Sequence, residues 1–360
     1  MSLATPAVTS LTLSFKPGSI ILLSLQDVPS VTECVHLRHL EIDTGMHDGH
    51  AWRSVLLALI HASFRLETVL APNSLVFEAI PHLAACQSLR VAQTYNVASL
   101  NTSEVRVGPG AFPVLQEMRY LPADAPHASL ASSFLIHGPV HHLRELSLCG
   151  DPGVFSDIWM GLLNRLAGYT QLEYLELVIE PRDLPLNAWQ TALETLENLS
   201  SLDMLRLHVN FDLAIPEDAF IHATARWHVL RRIDVYSQSQ IMEDGPHISL
   251  RAFIAMLSHC PRLEYTTLSI SCASFPPEGL VAQVEKTAHM PVDGISFRDV
   301  TNPERVARIL YRVFPRLEYP RASRNLDCDE QVEAVHRALA FLRSSGLVPV
   351  TESVCRLGML

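Results

Sequence analysis

Leu143-Arg144-Glu145-Leu146-Ser147-Leu148, Leu172-Glu173-Tyr174-Leu175-Glu176-Leu177 and Leu202-Asp203-Met204-Leu205-Arg206-Leu207 are three copies of one phrase, L-x-x-L-x-L. Leu37-Arg38-His39-Leu40-Glu41-Ile42 is a fourth, and weaker copies begin at Val8, Leu66, Leu89, Leu115, Leu230, Leu263 and Val292. Successive first positions are 29, 29, 23, 26, 28, 29, 30, 28, 33 and 29 residues apart. Side chains alternate along an extended strand, so the fourth and sixth positions share one face while the first Leu packs from the turn before. A single strand of this kind buries too little apolar surface to stand alone, and only a stack of such units covers each one's apolar face.

Between many of these anchors the periodicity changes to i, i+3, i+4, which predicts helices over Trp52–Phe64, Phe155–Leu166, Leu186–Leu196, Leu250–Leu257 and Val306–Phe314. Strand followed by helix, repeated, gives parallel strands joined by right-handed crossovers. The spacing clusters near the roughly 20 to 29 residues of leucine-rich repeats. The expected fold is therefore α/β, a right-handed leucine-rich-repeat solenoid of about eleven irregular repeats. Its curved parallel sheet lies on the concave side and its helices on the convex side. Residues 1–325 form the repeat array, and 326–360 form a capping helix and tail. In that tail Val332, Val335, Leu339 and Leu342 share one face of a helix over Asp329–Ser344, with Gly346 as its stop. The first repeat starts almost at Met1, which leaves no room for a cap and points to a preceding domain or a partner at that end.

Irregular stretches stand out against the repeat. Ala92 and Thr94 replace large residues in the repeat at Leu89, and Asn101–Pro113, with Gly108-Pro109-Gly110, reads as a loop. Asp212–Thr224 and Ser271–Gly279 read as excursions from the stack. Trp52, Trp159 and Trp189 fall 15, 16 and 17 residues after their anchors and are expected to fill the gap between sheet and helices. Cys86 and Cys260, just before anchor leucines, are expected to be small buried turn residues.

Composition narrows the function. The 360 residues are 48% hydrophobic and 18% charged, which suits a long apolar stack and excludes disorder as the dominant state. The formal charge is −11, from 38 acidic and 27 basic residues, and no run of cations is present to neutralise phosphates. Nucleic acid is therefore not an expected partner. Nor is a membrane, because the apolar stretch Ile20–Leu25 is too short to span one and no basic segment precedes it. The seven cysteines, Cys34, Cys86, Cys149, Cys260, Cys272, Cys328 and Cys355, form no C-x-x-C pair and read as reduced thiols of a cytoplasmic or nuclear protein. In that setting the acceptor patterns Asn101-Thr102-Ser103 and Asn198-Leu199-Ser200 read as chance. No G-x-S-x-G, H-E-x-x-H or P-loop occurs, and His47-Asp48-Gly49-His50 lacks the spacing of a zinc site. Neither a catalytic role nor a cofactor or metal is expected.

Ser258-His259-Cys260-Pro261-Arg262-Leu263-Glu264-Tyr265, Phe314-Pro315-Arg316-Leu317-Glu318-Tyr319 and Gln171-Leu172-Glu173-Tyr174-Leu175-Glu176-Leu177 resemble the C-P-x-L-E-x-L phrases of F-box/leucine-rich-repeat proteins of the irregular fungal type. The resemblance spans roughly residues 8–320. It implies a repeat domain that recruits a substrate protein, in a family whose F-box helix docks on a Skp-type adaptor of a cullin ubiquitin ligase. No L-P-x-E-[IL] helical entry occurs near the N-terminus. A Skp-type partner is thus implied only where an F-box is supplied. The alternative is a structural or regulatory leucine-rich-repeat scaffold without a ubiquitin link.

In either case a protein partner is expected on the concave face, at the third, fifth and seventh positions of each phrase. The richest run of hot-spot residue types there comprises Tyr174, Glu176, Met204, Arg206, His208, Arg232, Asp234, Tyr236 and Tyr265. His39, Glu41 and Asp43, Val91, Gln93 and Tyr95, and Glu145, Ser147 and Cys149 occupy the same positions in other repeats, followed by Val178, Thr267 and Ser269.

Overall fold

The computed structural model describes residues 8–14, 36–43, 50–95, 106–122, 128–139, 141–150, 156–179, 186–209, 215–236, 247–284, 295–314 and 330–345. The chain divides into two compact units, residues 1–179 and 180–360.

In the first unit the elements run β1 (Ser10–Ser14), β2 (His39–Asp43), α1 (His50–Ala62), β3 (Thr68–Pro72), α2 (Asn73–Ala85), β4 (Val91–Tyr95), β5 (Glu117–Pro122), α3 (Ala128–His137), β6 (Glu145–Gly150), α4 (Ser156–Leu166) and β7 (Tyr174–Ile179). Each strand pairs in parallel with the next. The second unit runs α5 (Leu186–Leu196), β8 (Met204–Val209), α6 (Glu217–Thr224), β9 (Arg232–Tyr236), β10 (His247–Ser249), α7 (Leu250–His259), β11 (Tyr265–Ser271), α8 (Glu278–Val284), β12 (Ile295–Arg298), α9 (Pro303–Val313) and α10 (Glu330–Ser344). Its strands are also parallel. Each unit is a stretch of leucine-rich-repeat solenoid.

From Val8 to Leu263, every anchor is followed two residues later by a strand, and at Val292 the inward residues Ile295 and Phe297 keep the expected register. The anchor leucines and the inward pairs, such as Leu40 and Ile42, Leu146 and Leu148, Leu175 and Leu177, and Leu205 and Leu207, are buried. The weak repeat at Leu89 still forms a strand. Ala92 and Thr94 are both buried there, and the Thr94 hydroxyl donates to the Tyr120 carbonyl at 2.9 Å.

Backbone groups ahead of each strand are satisfied by a repeated arrangement. The carbonyl of the residue after one anchor accepts two N–H groups from the next repeat: Arg38 accepts from Glu67 and Thr68, Arg90 from Gln116 and Glu117, Arg144 from Glu173 and Tyr174, and Asp203 from Arg231 and Arg232. The side chains at this position form ion pairs along the same row, Arg38 with Glu67 at 3.1 Å, Arg144 with Glu173 at 3.0 Å and Arg231 with Asp203 at 2.6 Å. These pairs are solvent-screened and contribute little to stability.

Three residues before seven of the anchors, among the described residues, sits a second buried position, occupied by Ser63, Cys86, Phe112, Tyr169, Leu199, Trp227 and Cys260. Several of these side chains reach carbonyls in the last turn of the preceding repeat's helix, adding a second donor where a backbone N–H already serves Leu196 and Thr224. The Trp227 indole donates to Leu196 at 3.1 Å, the Tyr169 hydroxyl to Leu135 at 3.2 Å and the Cys260 thiol to Thr224 at 3.6 Å. Burial pushes the Cys260 thiol up to about 12, so it stays protonated and unreactive. Cys86 and Cys260 are thus the buried turn residues that the sequence predicts. The side chains of Trp52, Trp159 and Trp189 lie outside the described residues, as do His47, Asp48 and Gly49.

Three sequence readings need correction. The stretch Asp212–Thr224 is not an excursion throughout, because α6 occupies Glu217–Thr224 in the ordinary place of a repeat helix and buries Ala219, Phe220 and Ala223. Its eight residues offer too few apolar repeats for the periodicity to register. Ser271 belongs to β11, and α8 begins at Glu278, so the break between them is shorter than expected. In the repeat at Leu115 the second inward residue is Leu121, not Tyr120. A bulge sets Arg119 and Tyr120 opposite the single residue Ser147, with Tyr120 at φ +60°.

The sequence reading also did not anticipate β10. β11 is long enough to pair with β9 through Tyr265–Thr267 and then with β10 and β12 through its last residues. At the C-terminal end α10 packs on α9, burying Val335 and Leu339 as expected, while Leu342 is only half-buried.

Two substitutions should move stability in opposite directions. Thr266 occupies an inward position normally filled by Leu, is wholly buried, and among the described residues its hydroxyl has no hydrogen-bond partner. Thr266→Val should therefore stabilise the protein by about 1 kcal/mol in chemical denaturation. Trp227→Phe keeps the ring but removes the bond to Leu196, and should destabilise by about 1 to 2 kcal/mol in the same measurement.

Candidate functional site: the outward face of the sheets

The helices cover the face of each sheet that carries the inward leucines. The other face displays the third, fifth and seventh residues of every phrase, and there the polar side chains are organised around carboxylates.

In the first unit Arg119, on the outward face of β5, enters a cluster with β6 and β7. Its Nε donates to Glu145 at 3.0 Å, its terminal nitrogen lies 3.5 Å from Glu117, and its guanidinium stands 5.8 Å from the centre of the Tyr174 ring. One guanidinium thus serves two carboxylates. Burial, and then the nearby Glu145 charge, hold the Glu117 carboxyl above its ordinary value, with Arg119 pulling the other way. Alongside, the Glu176 carboxylate accepts from the Ser147 hydroxyl at 2.8 Å and from the Tyr174 hydroxyl at 3.1 Å. Ser147 is fully buried and Glu176 is 6% exposed, so both act as supports beneath the surface. His39, Glu41 and Asp43 of β2 are exposed.

In the second unit Asp234 on β9 plays the corresponding part. Its carboxylate accepts from the Arg206 Nε at 3.1 Å, from the Arg232 Nε at 2.7 Å and from the Thr267 hydroxyl at 3.0 Å, and it is 2% exposed. Strand register explains the meeting, since Arg206 stands opposite Asp234 and Asp234 opposite Thr267. Arg232 also lies over the Tyr265 ring, 4.3 Å from its centre, an attraction worth about 0.5 to 1 kcal/mol at a partly exposed site.

Of the residues expected to meet a partner, Tyr174 and Glu176 lie on β7, and Met204, Arg206 and His208 lie on β8. Arg232, Asp234 and Tyr236 lie on β9, and Tyr265 lies on β11. The register sets Met204 opposite Arg232 and His208 opposite Tyr236, whose side chain falls outside the described residues. The structure joins Arg206, Arg232, Asp234 and Tyr265 into one cluster and Tyr174 with Glu176 into another. The sequence reading passed over Arg119 and Glu117, which the phrase at Leu115 would have brought to the same face had its outward positions been read. Among the described residues no group of three or more His, Cys, Asp or Glu could hold a metal ion, and no helix is long and apolar enough to cross a membrane.

No family model matches the chain, and no curated protein does. Among solved structures it is similar to the leucine-rich-repeat-containing protein LegL7 from Legionella pneumophila. The two are 12% identical, the match covers 87% of this chain and 100% of that one, and the TM-score is 0.38. The repeat assignment rests on the strand at each anchor and on the ladder of doubly accepting carbonyls.

The raised Glu117 carboxyl predicts a pH effect. A group whose value is higher in the folded state favours folding below its ordinary value, here 4.5, and that contribution is lost as pH rises through the folded value. At pH 7 Glu117→Gln should therefore be more stable than the parent by a few tenths of a kcal/mol, since the site is partly exposed and screened. Thermal melts at pH 7 and pH 3.5 should show the difference shrinking at the lower pH.

Proposed function

We propose that this chain is a protein-interaction module whose partners bind the outward sheet faces, at the residues clustered on Glu176 in the first unit and at those clustered on Asp234 in the second. The observation behind this reading is the Asp234 cluster. A buried carboxylate holds two guanidiniums and, through Arg232, an aromatic ring in fixed positions on a face that the helices leave open. Arg and Tyr are the residue types that dominate interface hot spots, and fixing them beforehand lowers the ordering cost of binding. Such a role needs no catalytic residue, cofactor or metal.

The finer reading is that the module recruits substrates for an F-box-type ubiquitin-ligase adaptor. Its support is the set of C-P-x-L-E-x-L-like phrases around Leu172, Leu263 and Leu317, of which the last lies outside the described residues.

The test combines Tyr174→Ala, Arg206→Ala and Tyr265→Ala in one chain and compares its captured partners with those of the parent. Recovery of specific partners should fall about tenfold or more while the melting transition remains cooperative. Unchanged capture by a folded triple variant would remove the outward face from the proposal. Co-purification of a Skp-type adaptor and a cullin supports the ligase reading, and specific partners without either favour a scaffold with no ubiquitin link.

A further inference from the structure

The strongest unassigned feature is a cleft of about 700 Å³ between the start of α9 and the second half of α10, away from the strands. That volume lies within the roughly 300 to 1,000 Å³ of small-molecule sites. Pro303, Phe341 and Leu342 supply apolar wall, Arg308 and Arg337 supply two guanidiniums, and Glu304 supplies one carboxylate. Phe341 is 66% exposed, an unusual position for a large apolar side chain in a helix that otherwise buries Val335 and Leu339.

The cations of this cleft differ from their neighbours. On α9, Arg305 stacks over Phe275 at 4.2 Å and Arg312 pairs with Glu278 at 2.6 Å. Arg308 and Arg337 have no hydrogen-bond or ion-pair partner among the described residues. Among the described lining residues, two guanidiniums against one carboxylate leave a single positive charge beside exposed apolar surface. A guanidinium fork matches a carboxylate in shape as well as charge. A polyphosphate would bring more negative charge than this lining neutralises, and a cationic amphiphile would be repelled.

We propose that the cleft binds a small amphipathic monocarboxylate, its head group between Arg308 and Arg337 and its aliphatic or aromatic tail against Phe341 and Leu342. The site is separate from the outward sheet face and does not depend on the interaction reading.

Isothermal titration of the full chain with decanoate, below its micelle concentration, tests this. Decyltrimethylammonium and N-acetyl-phenylalanyl-leucine serve as comparison probes. Decanoate should bind saturably with one site per chain. Arg308→Gln with Arg337→Gln should weaken it by about tenfold or more, as expected for loss of charge-assisted bonds. Phe341→Ala, on an exposed side chain, should weaken it several-fold without altering the melting transition. Absence of decanoate binding, equal binding of the ammonium probe, or variants that are folded yet bind like the parent would each overturn the proposal. Binding of the peptide carboxylate without decanoate would overturn the plain hydrocarbon tail proposed for the occupant, in favour of a protein terminus.

Discussion

One backbone carbonyl per repeat, accepting two N–H groups from the repeat that follows, is the contact on which the rest of the structure depends. It recurs from Thr9 to Arg144 in the first unit and from Asp203 to Arg231 in the second. Because it is made by backbone, it places no demand on the side chain at that position, which is why Thr, Arg, Glu, Gln and Asp all occur there. It does demand a fixed register. Once the residue after the anchor is locked to its counterpart, the fourth position points inward and so does the sixth wherever no bulge intervenes, and a slip of one residue would turn every leucine outward.

Around that register the protein distributes its polar groups in three rows. Ion pairs follow the ladder residues at the surface, and the position three before an anchor supplies a side-chain donor to a helix carbonyl in several repeats. The outward positions gather around Glu176 and Asp234. The second row is the most variable, with Ser, Cys, Phe, Tyr, Leu and Trp in equivalent places. Where the side chain carries a donor, as at Tyr169, Trp227 and Cys260, it also reaches a carbonyl of the preceding repeat's helix.

The outward clusters share a different logic. A carboxylate that is almost wholly buried would be costly alone. Asp234 is tolerated because two guanidiniums and a hydroxyl converge on it from three adjacent strands, and the same convergence fixes Arg206 and Arg232 in place. Arg119 likewise draws Glu117 and Glu145 together on the outward face, beside a bulge whose left-handed backbone falls at Tyr120.

The sequence by itself determined the repeat, because leucines at fixed offsets are a local pattern that survives irregular spacing: eleven anchors were legible and each is followed by a strand. It also determined which residues share the outward face, since alternation along a strand follows from the register. Short elements escaped it. α6 and α8 have too few turns for periodicity to show, and β10 is three residues long. Only the tertiary structure decided that Asp234 lies buried beneath Arg206 and Arg232, that Arg119 bridges Glu117 and Glu145, and that Leu121 replaces Tyr120 in the core. The contacts of Asp234 with Arg206 and Thr267 and of Arg119 with Glu145 join side chains 26 to 33 residues apart across strands, and Leu121 takes its place through the bulge opposite Ser147. Local pattern records the direction in which a side chain points, whereas its partner is set by the register and bulges of the neighbouring strand.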